Sequence, residues 1–320
     1  MESRRKLTSL IECVPNFSEG RKLAVVDALE LAISSVSGSL VLHRTSDPDH
    51  NRSVITFAGD SDSVLESAVR ATAKAAELID LNQHKGVHPR IGALDVLPFV
   101  PLGEATLADC VTLARNAGTR IWQELRIPVY FYEAAATRPD RVRLEDVRRG
   151  QFERLRDRTA GDDTKRRPDV GGPSLHPTAG AAIIGARKIL IAFNINLRTT
   201  DLEIAKSIAK HIRASGGGLR AVKALGFPLL SRGLVQVSIN LTDFEQTSMQ
   251  VAYDEVTRLA AVRGIEVEET ELIGLVPRKA LDERAAHRMN IVDFDSQRYI
   301  EDRVERLLSN SNVAETKPSP

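Results

Sequence analysis

A chain of 320 residues, 42% hydrophobic and 27% charged, has material for two cores, which excludes collagen-like, low-complexity and wholly disordered classes. Lysine plus arginine number 44 against 43 aspartate plus glutamate, a formal charge of +1, so the broad positive field of a nucleic-acid or anionic-membrane binder is missing. Cys13 and Cys110 form no CxxC, which excludes a disulfide framework and a thiolate zinc site, and no apolar run has the length of a membrane span.

The basic start, Met1 to Lys6, lacks the apolar core of a signal peptide, because Glu12 and Pro15 interrupt the short apolar stretch after it; a cytoplasmic protein is expected. In chain order, residues 10–18 read as a strand and 21–35 as a helix carrying Leu23, Val26 and Leu31. Strands follow over 39–42 and 52–59, joined by the polar turn 46–51. Ser63-x-x-Glu66 opens a helix over 62–79, and residues 93–101 form the next strand. A helix over 107–125 and a strand over 129–132 close this half, and the charge-crowded stretch 138–167 reads as a solvated helix and loop face.

The second half starts with a strand over 188–197. Thr200-x-x-Glu203 opens a helix with Leu202, Ala205, Ile208, Ala209 and Ile212 on one face. A hairpin over 219–227 and 234–241 leads to a helix opened by Thr242-x-x-Glu245, stopped at Gly264, and a closing strand over 265–273. Residues 284–308 read as one charged amphipathic helix, and 310–320 as a frayed tail. Both halves thus spell β-α-β-β-α-β. The expected fold class is α+β: two tandem ferredoxin-like subdomains, residues 1–186 and 187–320, the latter with a terminal helix and tail. Helices would cover one face of each sheet, leaving a ligand cleft between the open faces.

Strand alternation places Asn194 and Asn196 on one side of the strand over 188–197, and Gln236, Ser238 and Asn240 together in the hairpin; Glu12, Asn16 and Ser18 behave likewise in the first half. Neutral amides and hydroxyls suit a planar polar ligand better than a bare solvated face. The densest chemical constellation is His84-Lys85-Gly86-Val87-His88-Pro89-Arg90-Ile91-Gly92-Ala93-Leu94-Asp95. Its histidines are four apart, but Gly86 and Pro89 oppose a helix and the HExxH glutamate is missing, which disfavours metal ligation. A loop histidine among cations suits proton transfer, since Lys85 and Arg90 favour its neutral, basic form. A second loop holds Gly171, Gly172, Pro173, Ser174, Leu175, His176, Pro177, Thr178, Ala179 and Gly180, whose glycines permit close backbone approach to a ligand. It matches no phosphate-binding motif, and the strands lack the stacking aromatics of an RNA-binding sheet.

The stretch Glu12-Cys13-Val14-Pro15-Asn16-Phe17-Ser18-Glu19-Gly20, the histidine segment 84–95, residues 185–197 and residues 236–245 together resemble the formiminotransferase family, over nearly the whole chain to about residue 277. The resemblance implies two α/β subdomains, a homodimer, and transfer of the formimino group of N-formimino-L-glutamate to N5 of tetrahydrofolate, a co-substrate, in histidine breakdown. It implies that His88 is the catalytic acid/base and that Gly171 to Gly180 is the folate-binding loop, with Ala179 where animal members carry tryptophan. Lys85, Arg90 and Arg52 would hold carboxylates, and Asn194, Asn196 and Asn240 would line the pterin site, with no metal. The partners are then small molecules, with neither nucleic acid nor membrane. Two other readings are a related one-carbon transferase using 5-formyltetrahydrofolate or formylglutamate, and a non-catalytic folate-binding sensor. The cyclodeaminase domain that follows in animal members has no counterpart in these residues.

Overall fold

The computed structural model describes residues 9–315 apart from 49, 87, 160–163 and 293. The chain divides into two compact units, Met1–Arg187 and Lys188–Pro320. The basic start and the last residues of the expected tail lie outside the described residues.

The first unit opens with β1 (Ser9–Cys13) and β2 (Asn16–Phe17), a single strand interrupted at Val14-Pro15. Pro15 has no N–H to give the ladder, yet its carbonyl still accepts from Ile55 at 3.2 Å. Then come α1 (Leu23–Ser34), β3 (Leu40–Asp47), β4 (Arg52–Gly59), α2 (Ser61–Leu78) and β5 (Leu94–Gly103). After α3 (Leu107–Leu125) and β6 (Val129–Glu133), the short α4 (Leu144–Val147) and α5 (Gln151–Thr159) precede β7 (Ala182–Ala186). The strand order is β3-β4-β1/β2-β5-β7-β6, antiparallel as far as β5, with β7 parallel to both β5 and β6. The sequence reading missed β7. Ala182–Ala186 is buried along its whole length between two strands, so it shows no alternation to reveal it.

Phe17, Phe57 and Phe99 are fully buried under the helices, together with Leu29, Ala68, Ala71 and Ile121. The opposite face differs from expectation. Val147, Phe152 and Leu155, from the stretch read as solvated, pack with Tyr130, Tyr132, Ile91 and Ile183 into a second core. This face is therefore not open along β5, β7 and β6. Helically spaced apolar residues were hidden among many charges, one of which is itself buried: Arg141 is 4% exposed and pairs with Asp169 at 2.5 Å.

The second unit contains β8 (Ile191–Leu197), α6 (Leu202–Ile212), β9 (Val222–Leu229), β10 (Leu234–Leu241), α7 (Met249–Ala261) and β11 (Val267–Ile273). All its strands are antiparallel, in the order β11-β8-β10-β9. Phe193, Ile195 and Leu197 meet Val235, Val237 and Ile239 beneath Ala205, Ile208, Ala252 and Val256. In place of one helix over 284–308 there are α8 (Glu283–Arg288) and α9 (Ile300–Glu315). Asn290 turns left-handed between them at φ 49°, and its carbonyl accepts from Thr270 at 2.8 Å, so the chain is drawn back to the sheet. Met289, Ile291 and Tyr299 join this core.

Three expected caps are relocated. Asp60 caps α2, freeing Glu66 to pair with Arg70 and Arg120; Asp201 caps α6; and Ser248, six residues past Thr242, caps α7. Spacing alone does not say which oxygen faces the free amides. Asp169→Ala is expected to cost about 3–5 kcal/mol, because it strands the buried Arg141 guanidinium. Urea unfolding measures it, and an unchanged midpoint contradicts the pairing.

Candidate active site

The site assembles in the first unit from four chain segments. After β2, Ser18 is pinned by its N–H to Ala93 O at 2.9 Å and by its hydroxyl, which donates to Gly92 O at 2.7 Å. The β3–β4 turn supplies His50 and Asn51, and the first residue of β4 is Arg52. Asn51 sits at φ 48°, its side-chain oxygen accepting from Gly20 N at 3.0 Å and its amide donating to Lys85 O at 3.1 Å. A Cβ on Gly20 would stand 2.3 Å from Asp47 O, so only glycine permits this approach. His50 Nδ1 lies 2.6 Å from Asp47 Oδ2, and its ring meets His88 edge-on at 6.2 Å.

Residues 84–86 and 88–90 run as an irregular loop, which separates the two histidines chemically. His84 Nδ1 accepts from Arg90 Nε at 2.9 Å, so Nε2 carries the proton toward Asn51 O at 3.0 Å. Both nitrogens are thus used within the protein, and burial lowers the pKa of His84. Arg90 turns its fork onto Glu153 at 2.8 and 3.2 Å, with Gln151 at 3.3 Å. The structure therefore gives Arg90 a different task from holding substrate: it ties the histidine loop to α5. Lys85 is exposed and is not among the residues lining the recess.

His88 does line it, with Phe17, Ser18, His50, Asn51, Arg52, Arg90 and Asp95. Burial, then the charges of Arg52 and Arg148, push the His88 pKa down to about 3, so the imidazole is neutral near pH 7. Asp95 accepts from Ile91 N at 2.7 Å with one oxygen and pairs with Arg148 through the other. Arg52 lies half-buried beside them, its pKa lowered to about 10 by desolvation and by Arg148. Among the described residues its Nε has no hydrogen-bond partner, nor has that of Arg148. Among the described residues, too, no group of three His, Cys, Asp or Glu side chains is placed to hold a metal ion.

The glycine-rich loop reaches the same segment. Ala93 N donates to Ala179 O at 2.9 Å and Ala181 N to Ile91 O at 3.0 Å. Gly180 has φ +72°, and a Cβ there would stand 2.1 Å from Ile91 O. Within this loop Gly171, Pro173, Ser174 and Pro177 are exposed, Gly172, His176 and Thr178 are half-buried, and Leu175, Ala179 and Gly180 are buried. Asn194, Asn196 and Asn240 belong to the second unit. Asn196 is fully buried and spent on Glu269, Glu271 and Gln236 at 3.1, 2.9 and 3.0 Å, whereas Asn194 is half-buried and Asn240 exposed. The carboxylates that β11 brings to this face were not foreseen.

Residues 10–187 match the formiminotransferase domain, N-terminal subdomain, and residues 192–318 the formiminotransferase domain. The chain belongs to the formiminotransferase family. Glutamate formimidoyltransferase of Thermoplasma acidophilum is 46% identical over 93% of this chain and 98% of the relative. The Streptococcus pyogenes protein of the same name is 43% identical over 92% of the chain and 98% of its own length. The rat formimidoyltransferase-cyclodeaminase is 43% identical over 88% of the chain, which spans 52% of that longer protein.

Sequence reading of this family member missed His50, Asn51 and Arg148. His50 and Asn51 lay in a polar turn, and Arg148 in the charge-crowded stretch, where nothing local distinguished them. His88 makes a pH prediction. Its folded pKa of about 3 lies below the roughly 6.5 of an unfolded histidine, so the unfolded state binds more protons between those values. Stability is full above pH 6.5 and is lost as pH falls, at up to about 1.4 kcal/mol per pH unit from this group. His88→Asn should lose less Tm than wild type between pH 7 and pH 5; equal losses contradict the depressed pKa.

Proposed function

We propose that the protein is a glutamate formimidoyltransferase that moves the formimino group of N-formimino-L-glutamate to N5 of tetrahydrofolate, with His88 as acid/base. The observation that carries the reading is the placement of His88 in the recess beside Arg52 and Asp95, in a member of this family; its lowered pKa leaves the imidazole neutral near pH 7. N5 attacks the amidine carbon and a tetrahedral intermediate forms. His88 accepts the proton from N5, and the resulting imidazolium returns one to the glutamate nitrogen as the carbon–nitrogen bond breaks. One ring serves both steps, because attacking and leaving nitrogens flank the same carbon.

Tetrahydrofolate enters as co-substrate, and Gly171 to Gly180 is the proposed folate loop; its hydrogen bonds to residues 91–93 support that assignment. The same reading takes the two units as tandem ferredoxin-like subdomains, supported by the element order and by the orders β5-β1-β4-β3 and β11-β8-β10-β9. It also carries a homodimeric, cytoplasmic enzyme.

With purified protein and both substrates, His88→Ala should fold normally and lower kcat roughly 10²- to 10⁴-fold, the range for a general acid–base group. Full activity in that variant removes His88 from the chemistry. Arg90→Met should unhook the loop from Glu153, lowering both kcat and thermal stability, whereas a pure substrate ligand would raise KM alone.

A further inference from the structure

We propose that Arg52 and Arg148 form a socket that takes one carboxylate of the amino-acid donor beside His88. The proposal rests on the formimino-transfer reading and deepens it.

Two half-buried arginines flank a single buried carboxylate, Asp95: Arg148 pairs with it, and Arg52 lines the recess beside it. Asp95 spends one oxygen on Ile91 N and the other on Arg148, leaving Arg52 without an ion pair among the described residues. Of the other acids, Glu153 pairs with Arg90, and Asp47, which also acts on Arg52 electrostatically, pairs with His50. Each arginine also keeps a buried Nε with no hydrogen-bond partner among the described residues. A buried polar hydrogen left unpaired is costly, and two like charges side by side add to that cost, against which Asp95 and, for Arg52, Asp47 act. The depressed pKa of Arg52 is caused first by desolvation and then by Arg148, with Asp95 and Asp47 opposing.

A carboxylate fits this demand in charge and shape, since guanidinium forks accept planar two-oxygen anions. Two reactants carry carboxylates, and their geometry separates them. In formiminoglutamate the α-carboxylate is two bonds from the nitrogen that departs. In a folate the tail carboxylates are separated from N5 by the aminobenzoyl group. Arg52 lines the recess with His88, and Arg148 is held next to it by Asp95, which lines the same recess, so the socket lies where the donor's carboxylate would be, not the folate tail. Occupation would also offset the charges that depress His88, making it a stronger base once the donor is in place.

Glutarate, which has both carboxylates and no formimino group, tests the socket without turnover. Titrated into the full-length protein, it should shift the Arg52 and Arg148 Nε–H signals in ¹⁵N NMR and raise the His88 titration midpoint. Arg52→Gln and Arg148→Gln should each weaken glutarate binding and raise KM for formiminoglutamate roughly 10- to 100-fold. The KM for tetrahydrofolate should stay within about twofold. Arginine signals that do not respond to glutarate overturn the proposal, and this wild-type measurement decides even if the variants fail to fold. A rise in the folate KM in place of the donor KM also overturns it, assigning the arginines to the tail. Glutarate binding through both arginines in a protein without transferase activity supports the socket and refutes the reaction instead.

Discussion

Arg90 holds the loop on both sides of His88. Its Nε reaches back to His84, its fork reaches across to Glu153, and its carbonyl accepts the Phe152 N–H at 2.9 Å. The side chain is only 8% exposed, and burying a guanidinium at that depth is costly unless its donors are engaged. Residues 144–155 must therefore lie on the second face of the sheet. That placement brings Arg148 to Asp95, and Asp95 fixes the turn at Ile91. One buried cation thus governs the position of the histidine, the covering of the sheet and the supply of the next arginine.

Strand direction does the rest of the positioning. β5 and β7 are parallel neighbours, so the segments entering them, residues 84–93 and 171–181, emerge at the same end of the sheet. Their backbones exchange hydrogen bonds there, and the contact is closer than a side chain would permit: a Cβ on Gly92 would stand 2.2 Å from Ala181 O. Parallel pairing requires a long return from β6 to β7. The chain uses that return for α4, α5 and the glycine-rich loop, so the connection carries much of the site.

Much of the architecture was legible, because alternation in Phe193, Ile195 and Leu197, and helical spacing in Ala205, Ile208 and Ile212, report local burial directly. The histidine loop was legible as a loop, since Gly86 and Pro89 forbid a helix whatever surrounds them. What escaped depends on distant partners. β7 has no polar face to mark it; Val147 and Phe152 are masked by charged neighbours; the caps of α2, α6 and α7 fall on acids and serines that pattern spacing passed over. Arg90 was read as a substrate ligand because sequence shows its charge but not Glu153, which lies 63 residues away.

By itself the sequence determined the family, the order of most elements and the loop that bears His88, because each rests on residue type and near-neighbour spacing. Only the tertiary structure decided which cations are committed and which retain unpaired donors. Arg52, Arg90 and Arg148 are chemically identical in the chain. Their roles diverge because folding places Glu153 against one, Asp95 against another, and, among the described residues, no carboxylate within ion-pair distance of the third.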